Sequence, residues 1–580
     1  MKNKKIFLIG GVILVAVFAV LVGLYYKNSL SSGKASTATT DSIDMSIDTD
    51  DGDEKIDWGL YQDTDYALTK SVTITDSGVY NLTGTISDGL ITINTDGNVK
   101  LVLDNVSITN SKGPAIYVEN ASDVVIELAS GSSNYLEDGS SYTGYEVDEI
   151  GTIFSHDDIT FQGDGTLEVV SNNEDAIVGK DDLKIVSGIY KITAVDDGIR
   201  GKDSVYIQNG NFSIKASGDG IKSTNDTNSD KGYILIENGT FDIEADLDGI
   251  SSQTKLLIQN GNFNIKTGGG SSNSSTSNDN WGRWGNTSST ETGSAKGLKS
   301  GSNLVIENGT FTFNTSDDAI HCNNYVGIKN GTLEISSGDD GIHVDAELIV
   351  DGGKINITKS YEGLEAAKIT INNGTIDLVA SDDGINVAGG NDASATNRPG
   401  ENNYSSNTDN VLTINGGTIY VNASGDGIDV NGTAYLNGGD VLVDGPTNDG
   451  NGALDYDREF VVNGGTLIAG GSSGMLQGCS ESSSTYSVMI GFTSSYDSGD
   501  VVTIVDNSGQ KIISYQSSKS YSALVVASPN FKKGETYTIK VNGSDYKTFT
   551  ISSMTTTVGN VMGNGMMGGN PGGNPRENRR

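Results

Sequence analysis

Cysteine, proline and histidine are scarce in this 580-residue sequence, with two, six and three copies respectively. Cys322 and Cys479 lie far apart, which predicts neither a zinc site nor a disulfide framework. The sequence also lacks a G-x-S-x-G elbow, a Cys/His pair and a phosphate-binding loop, and no stretch shows helical periodicity. These absences leave no standard nucleophilic active site to build on.

Basic residues are also scarce. There are 37 Lys and Arg against 75 Asp and Glu, a formal net charge of −38 and a pI near 4.2. Such a charge argues against nucleic acid or an anionic membrane surface as partner. An acidic polymer would bind only if a divalent cation bridged the two.

The most prominent feature that is present is a recurring tetrapeptide, Asp-Asp-Gly-Ile or a close variant. Most successive copies are separated by the same interval, and the exceptions span polar insertions rich in Ser, Asn and Gly. The common interval is about 22 residues, and a fixed period of this size indicates a repeat architecture. The second residue of the tetrapeptide, its middle acidic position, falls at Asp175, Asp197, Asp219, Asp248, Asp318, Asp340, Glu362, Asp383 and Asp426.

Each repeat contains short stretches in which apolar and polar residues alternate, such as Phe241, Ile243 and Ala245 between polar neighbours. This alternation is typical of half-buried strands, and so short a repeat leaves no room for a strand, a helix and a return. With 77 glycines and only 35% hydrophobic residues, the chain suits a slender core. We therefore predict an all-β fold: a right-handed parallel β-helix of about 22 residues per coil, in which Phe stacks on Phe and Ile on Ile.

The recurring acid has two interpretations. Asp and Gly fill tight turns whatever their function, and in a solenoid any turn residue recurs once per coil. However, one acid per coil makes a row of carboxylates roughly 4.7–4.9 Å apart, which costs repulsion that Asn or Ser would avoid. Carboxylate oxygens suit Ca²⁺. The predicted calcium ligands are Asp196, Asp197, Asp219, Asp248, Asp317, Asp318, Asp339, Asp340, Asp382, Asp383 and Asp426.

The chain divides by composition into five parts. Residues 1–28 carry lysines and then an apolar run over 6–26, which predicts an uncleaved membrane anchor or, as the alternative, a signal peptide. Residues 29–57 form an acidic Ser/Thr-rich linker, and 58–473 the β-helix, with insertions near 224–231, 268–293 and 389–410. Residues 474–553 form a small antiparallel β-module, and 554–580 a disordered Gly/Met-rich tail.

A polar column follows the isoleucine of each repeat. It contains His321 and His343 in successive repeats, and also Arg200, Lys222, Lys299, Glu365, Asn386, Asp429 and Asp455. Beside an acidic row, such a column could form a polysaccharide groove or could simply be a solvated face. We name His321, His343, Arg200 and Lys222 as candidate ligand-binding residues, with Arg200, Lys222 and Lys299 as the candidate bases of a lyase.

Two of the three tryptophans, Trp281 and Trp284, lie in the second insertion. They could stack on a sugar face, or they could pack on their own scaffold. We include them among the candidate ligand-binding residues.

Several sequence motifs resemble a known family. They are the run 101–106 (LVLDNV) with 113–118 (GPAIYV), then 180–185 (KDDLKI), 196–205 (DDGIRGKDSV), 218–225 (GDGIKSTN) and 528–534 (SPNFKKG). In this order they resemble the carbohydrate-binding β-helix domain family of clostridial and related Gram-positive cell-surface proteins, which has a pectate-lyase-like fold. The resemblance covers roughly residues 58–553. It implies a calcium-containing right-handed β-helix that binds cellulose or polygalacturonate without established hydrolysis.

Residues and resemblance together predict an exported, membrane-tethered binder of plant cell-wall polysaccharide, assisted by Ca²⁺ on the aspartate row. Two alternatives stay open: a pectate-lyase-like polysaccharide lyase, and a structural surface spacer or adhesin.

Overall fold

The computed structural model describes residues 45, 47, 56–145, 150–274, 294–388, 410–559 and 561. The chain divides into two units, Met1–Ser46 and Ile47–Arg580, and all described strands belong to the second. In the described ranges the only helical segments are two 3-10 turns, Trp58–Leu60 and Ser271–Asn273. No helix in these ranges is long and apolar enough to cross a membrane. The predicted anchor at 6–26 lies outside the described residues.

The strands before the first regular repeats are β1 (Asp63–Leu68), β2 (Val72–Ile74), β3 (Gly78–Ile86), β4 (Ile91–Asn94), β5 (Val99–Thr109), β6 (Ile116–Asn120), β7 (Val124–Leu128), β8 (Ser133–Glu137), β9 (Ile153–Ser155), β10 (Ile159–Gly163) and β11 (Thr166–Val170). The regular repeats contribute β12 (Ile177–Gly179), β13 (Asp182–Ile185), β14 (Ile189–Ala194), β15 (Ile199–Gly201), β16 (Ser204–Ile207), β17 (Asn211–Ala216), β18 (Ile221–Ser223), β19 (Tyr233–Ile236), β20 (Thr240–Ala245), β21 (Ile250–Ser252), β22 (Lys255–Ile258), β23 (Asn262–Thr267), β24 (Leu298–Ser300), β25 (Asn303–Ile306), β26 (Thr310–Thr315), β27 (Ile320–Cys322), β28 (Tyr325–Ile328), β29 (Thr332–Ser337), β30 (Ile342–Val350), β31 (Lys354–Lys359), β32 (Leu364–Ile371), β33 (Thr375–Ala380), β34 (Ile385–Val387), β35 (Val411–Ile414), β36 (Thr418–Ala423), β37 (Ile428–Val430), β38 (Thr433–Leu436), β39 (Asp440–Asp444), β40 (Asp455–Tyr456), β41 (Glu459–Val462) and β42 (Thr466–Gly471). The C-terminal strands are β43 (Ser487–Tyr496), β44 (Val501–Asp506), β45 (Lys511–Gln516), β46 (Tyr521–Ala527), β47 (Thr536–Val541), β48 (Ser544–Thr550) and β49 (Thr555–Gly559).

The prediction of an all-β chain dominated by parallel pairing is confirmed. In most of the repeats, a strand pairs in parallel with the strand three elements further on, as β14 does with β17 and β17 with β20. From β28 to β34 the offset is two elements, because the long strands β30 and β32 each take part in two pairings. Phe212 is therefore in register with Tyr190 of the preceding repeat and with Phe241 of the following one. Phe212 and Phe241 are farther apart in the sequence than Tyr190 and Phe212, because the 224–231 insertion lengthens that repeat.

Alternation in sequence becomes alternation in burial. In β20, Phe241, Ile243 and Ala245 are each 1% exposed, while the residues between them face solvent. Successive rings stack along the core, with centroids 4.8 Å apart for Phe212–Phe241 and 4.6 Å for Phe241–Phe263, in nearly parallel planes. The predicted stacking of equivalent core residues is thus present.

The C-terminal strands pair differently. β44, β45, β47 and β48 form a four-stranded antiparallel sheet, while β46 pairs antiparallel with β42, the last long strand of the repeats. A separate apolar cluster fills this part. One boundary differs from the prediction. Thr555–Gly559, assigned by sequence to the tail, forms β49 in parallel with β43, because its alternating Thr556 and Val558 are buried there.

Candidate functional site

The recurring acids form a row, linked by hydrogen bonds in most repeats, which we call the aspartate ladder: Asp175, Asp197, Asp219, Asp248, Asp318, Asp340, Glu362, Asp383 and Asp426. Each stands just before the glycine, or the alanine at 176 and 319, that leads into a three-residue strand or its equivalent. Oδ1 of Asp175 accepts the backbone N–H of Asp197 at 2.9 Å, and Oδ1 of Asp197 accepts that of Asp219 at 2.8 Å. The same bond recurs between later repeats.

The ladder therefore has a structural role in every repeat where it is intact. A buried N–H needs an acceptor, and the carboxylate of the neighbouring repeat supplies it. This bond uses only one carboxylate oxygen. The second oxygen of each aspartate is available to a cation, and the repeats differ in what stands beside it.

One ladder position carries a lysine. Lys296 occupies the ladder position between Asp248 and Asp318, and its backbone N–H donates to Oδ1 of Asp248 at 2.8 Å. Its Nζ lies 2.8 Å from both Asp318 Oδ2 and Asp317 Oδ1. The sequence analysis missed this residue, although the Lys-Gly-Leu at 296–298 has the same form as Asp-Gly-Ile.

The strand register also aligns the polar column. Residues that follow the isoleucine or its equivalent lie side by side from repeat to repeat, and Ser251 fills one position that the sequence analysis did not name. In order the column reads Arg200, Lys222, Ser251, Lys299, His321, His343, Glu365, Asn386, Asp429 and Asp455. The column is thus basic at its N-terminal end and acidic at its C-terminal end.

In the N-terminal part, column cations neutralise ladder anions. Arg200 Nε lies 2.6 Å from Asp175 Oδ2, and Lys222 Nζ lies 2.7 Å from Asp219 Oδ2. Lys299 Nζ lies 2.9 Å from Asp248 Oδ2. This part of the carboxylate row is therefore not uniformly negative, because each of these carboxylates already has a charged partner.

The same pairs bear on the candidate lyase bases. Burial opposes the Lys222 ammonium, but the carboxylates of Asp219 and Asp197 raise its pKa well above the ordinary value. A general base must be neutral, so this lysine is badly placed to take a proton near pH 7. Burial raises the pKa of Asp219 to about 6, with Asp248 adding to the rise.

Two histidines occupy the middle of the column. The His321 and His343 rings are 4.9 Å apart, and Nδ1 of His321 lies 3.1 Å from Asp318 Oδ2. Nδ1 of His343 lies 3.3 Å from Asp340 Oδ2 and 3.1 Å from Glu365 Oε2. His343 is only 3% exposed, which leaves almost none of its side chain for a polymer on the surface.

Beyond the histidines the acids accumulate. Within the described part of the chain, no lysine or arginine forms an ion pair with Asp339, Glu362, Asp383, Asp426 or Asp429. Burial, with Asp340 adding to it, raises the pKa of Asp339 to about 9. Burial and then Asp382 and Asp426 raise the pKa of Asp383 to about 8. Burial also raises the pKa of Asp429 to about 7, with Asp426 adding to the rise.

A buried amide oxygen lies within this acidic region. Asn386 is 7% exposed, and its Nδ2 donates to Glu362 Oε2 at 2.8 Å. Its Oδ1 has no hydrogen-bond partner, one of two such buried side-chain atoms among the described residues. Asn386 is in register with Glu365 on one side and Asp429 on the other. An unsatisfied acceptor among carboxylates calls for a donor or a cation.

The remaining predicted calcium ligands differ in their exposure to solvent. Asp196 is exposed, whereas Asp317, Asp339 and Asp382 are half-buried. Ligand oxygens of Asp175, Asp196 and Asp197 lie within 4.8 Å of one another, as do those of Asp317, Asp318 and Asp339. Trp281 and Trp284 lie outside the described residues.

Part of this region also matches a known protein family. Residues 69–341 match the model of the carbohydrate-binding domain-containing protein family. The match shows what this stretch of the chain is similar to. The resemblance inferred from the sequence motifs is thereby confirmed, and the matched residues include the ladder as far as Asp340.

Relatives can be named as well. A carbohydrate-binding domain-containing protein of Acetivibrio thermocellus is 40% identical over 130 residues, which is 22% of this chain and 46% of the relative. The chain thus spans about half the length of this curated relative. A solved structure described as the polysaccharide lyase-like protein from C. thermocellum, a gadolinium derivative, is 28% identical, with a TM-score of 0.32. It covers 48% of this chain and 87% of its own.

Proposed function

We propose that this chain is an exported cell-surface protein that binds plant cell-wall polysaccharide, polygalacturonate or cellulose, with Ca²⁺ held on the C-terminal part of the aspartate ladder. Carbohydrate binding is inferred from the match of residues 69–341 to the carbohydrate-binding domain-containing protein family. The calcium is our inference from the charge pattern, and the two polymers are those that the resemblance of the sequence motifs implies. The structural frame we propose is a right-handed parallel β-helix of about 22 residues per coil. The register that aligns Tyr190 with Phe212, one period apart in the sequence, supports this frame.

The observation that carries the calcium proposal is the Asn386 amide oxygen among unpaired carboxylates. Ca²⁺ takes 6–8 oxygen ligands, mixing carboxylates, amide or backbone carbonyls and water. Glu362, Asp383, Asp426 and Asp429 surround this position, and all of them offer oxygen. A divalent cation would satisfy the amide and offset the repulsion that holds the pKa values of these acids high.

Calcium at this end also suits an acidic polymer. The chain carries a net charge of −38, so uronate carboxylates approach it against repulsion. A partly hydrated Ca²⁺ can exchange a water for a uronate oxygen and so link the two anions. The N-terminal part of the ladder has less need of the ion, because Arg200, Lys222 and Lys299 already neutralise it.

The test is co-sedimentation of the full-length protein with insoluble polygalacturonate and with cellulose, in calcium and in excess chelator. We expect polygalacturonate to retain the protein in calcium and to release it in chelator. Retention by neither polymer would remove the function proposed here. If calcium raised the melting temperature without any retention, the chain would be a calcium-stiffened spacer.

The matched variants are Asp383→Asn and Asp219→Asn. Both keep an oxygen for the ladder hydrogen bond, but only Asp383 belongs to the proposed calcium region. We expect Asp383→Asn to reduce calcium-dependent retention and Asp219→Asn to leave it in place. Equal retention of both variants would contradict the location of the ion.

A further inference from the structure

The two histidines of the polar column lie in a setting that calcium binding does not explain. Two groups of metal-ligating atoms, each within 4.8 Å of one another, meet at His343: one with Asp318 and His321, the other with Asp340 and Glu365. Three adjacent repeats contribute these five residues, and strand register fixes their alignment. This arrangement differs from the oxygen-only region around Asn386, because it offers two imidazole nitrogens.

We propose that His321 and His343, with carboxylates from Asp318, Asp340 and Glu365, form a second metal site that takes a first-row transition metal ion such as Zn²⁺. Imidazole nitrogen with carboxylate oxygen is a donor set for zinc, copper, iron or nickel, whereas calcium and magnesium prefer oxygen alone. The proposal concerns a different site and a different class of metal from the calcium region, and it does not depend on polysaccharide binding.

The distances between ligand atoms fit a small ion. Two ligands at about 2.0–2.1 Å from a tetrahedral zinc lie roughly 3.3–3.4 Å from each other. Nδ1 of His343 lies 3.3 Å from Asp340 Oδ2 and 3.1 Å from Glu365 Oε2. Nδ1 of His321 lies 3.1 Å from Asp318 Oδ2. His343 is common to both groups of ligand atoms, so an ion beside it has donors from either group within reach.

The surroundings of His343 resemble the support that metal-bound histidines usually have. Its Nδ1 faces the proposed ion, and its Nε2 lies 3.4 Å from Asp345 Oδ1. A carboxylate on the far ring nitrogen fixes the tautomer and the ring orientation of a metal-binding histidine. His343 is 3% exposed and Asp318 is also 3% exposed, so little rearrangement of the site is possible.

The Lys296 ammonium competes with a metal ion for the carboxylate of Asp318. Its Nζ lies 2.8 Å from Asp318 Oδ2, the oxygen nearest to His321. A carboxylate oxygen has more than one lone pair and can serve both. When the ion binds, the lone pair of His343 Nδ1 forms the bond to the metal, and a proton held there leaves to solvent.

The test uses the fact that the whole sequence contains only three histidines. The full-length protein is labelled with ¹³C at the histidine side chains and titrated with Zn²⁺. His156, beside Tyr117 and Phe154, is the internal reference. We expect two histidine signals to shift and the third to stay, with reversal on adding chelator. Signals that all stay, or all shift together, would overturn the proposal.

Variants sharpen the result. His321→Gln and His343→Gln should each weaken zinc binding by about tenfold or more, the scale seen when even an outer-shell partner is lost. His156→Gln should leave it unchanged. Because buried His343 supports packing, the His321→Gln variant and the wild-type signals decide the outcome if His343→Gln fails to fold. Millimolar calcium that produced the same two shifts would show an unselective site instead. Asp383→Asn should not alter the zinc response, which separates this proposal from the calcium one.

Discussion

At the scale of single residues, neighbours decide what each ladder aspartate does. Asp219 and Asp383 occupy the same ladder position, and each accepts a backbone N–H through Oδ1. Lys222 stands beside Asp219, whereas Asp382, Asp426 and Asp429 surround Asp383. The same substitution should therefore have opposite effects at the two sites.

We expect Asp219→Asn to destabilise the protein by about 1–3 kcal/mol, with or without calcium. The amide keeps the ladder bond but leaves the Lys222 ammonium without its closest anion, and breaking a fully buried pair costs about 3–5 kcal/mol. The lower range applies because the Lys222 side chain is 33% exposed. Urea unfolding in calcium and in chelator measures this loss of stability. A loss confined to one of the two conditions would contradict the pairing of Asp219 with Lys222 rather than with calcium.

Asp383→Asn should leave the chelator-treated protein as stable as the wild type or more stable. It removes a charge that burial and neighbouring carboxylates disfavour, so repulsion in the empty cluster falls. In calcium the variant should gain less in melting temperature than the wild type does. Thermal unfolding at a series of calcium concentrations gives both numbers, and an equal calcium-dependent gain would place the ion elsewhere.

Sequence reasoning found part of this residue-level picture. The regular period of the tetrapeptide predicted which acids align, because register in a repeat follows the spacing directly. It did not reveal that Lys296 replaces an acid, since a long insertion precedes it and hides the repeat. Nor could it show the unpaired oxygen of Asn386, which depends on how two neighbouring repeats place their side chains.

At the scale of elements, the glycine that follows most ladder acids controls how closely neighbouring repeats approach. A Cβ added at Gly220 would lie 2.5 Å from the carbonyl oxygen of Gly249 and 2.6 Å from Ile243 Cγ2. Both neighbours belong to the adjoining repeat and its core. Packing against the adjoining repeat therefore requires glycine at position 220, although Ala176 and Ala319 fill the equivalent place in other repeats.

We expect Gly220→Ala to destabilise the protein by about 1–3 kcal/mol, the usual cost of overpacking a filled core. The urea midpoint should fall, and amide exchange in β18, Ile221–Ser223, should accelerate first. Gly450→Ala is the control, because the nearest atom to its Cβ would be Asn448 Oδ1 at 3.3 Å. Equal midpoints for the two variants would show that the neighbouring strands can separate at no cost.

At the scale of the molecule, the high pKa values of buried acids predict how stability depends on pH. Without calcium, the pKa is about 8 for Asp383, about 7 for Asp429 and about 6 for Asp426, and burial is the leading cause in each case. In the unfolded chain these groups titrate near 3.9. Between these values the folded protein binds more protons, so its stability falls as pH rises.

The metal-free protein should therefore melt at a higher temperature near pH 5.5 than near pH 8. Calcium should restore much of the difference at pH 8, because the ion then offsets the charge that protons offset at lower pH. Calorimetry at the two pH values, in chelator and in calcium, provides the comparison. A melting temperature that rises with pH in chelator would contradict it.

The sequence by itself determined the all-β class, the period of the repeat, the alignment of the acids and the similarity of residues 69–341 to carbohydrate-binding domain proteins, because each follows from local pattern repeated many times. Only the tertiary structure decided which acids are neutralised, where histidines from adjacent repeats meet and which amide oxygen lacks a partner. Those facts depend on distances between side chains in neighbouring repeats, and insertions of unequal length prevent sequence spacing alone from fixing them.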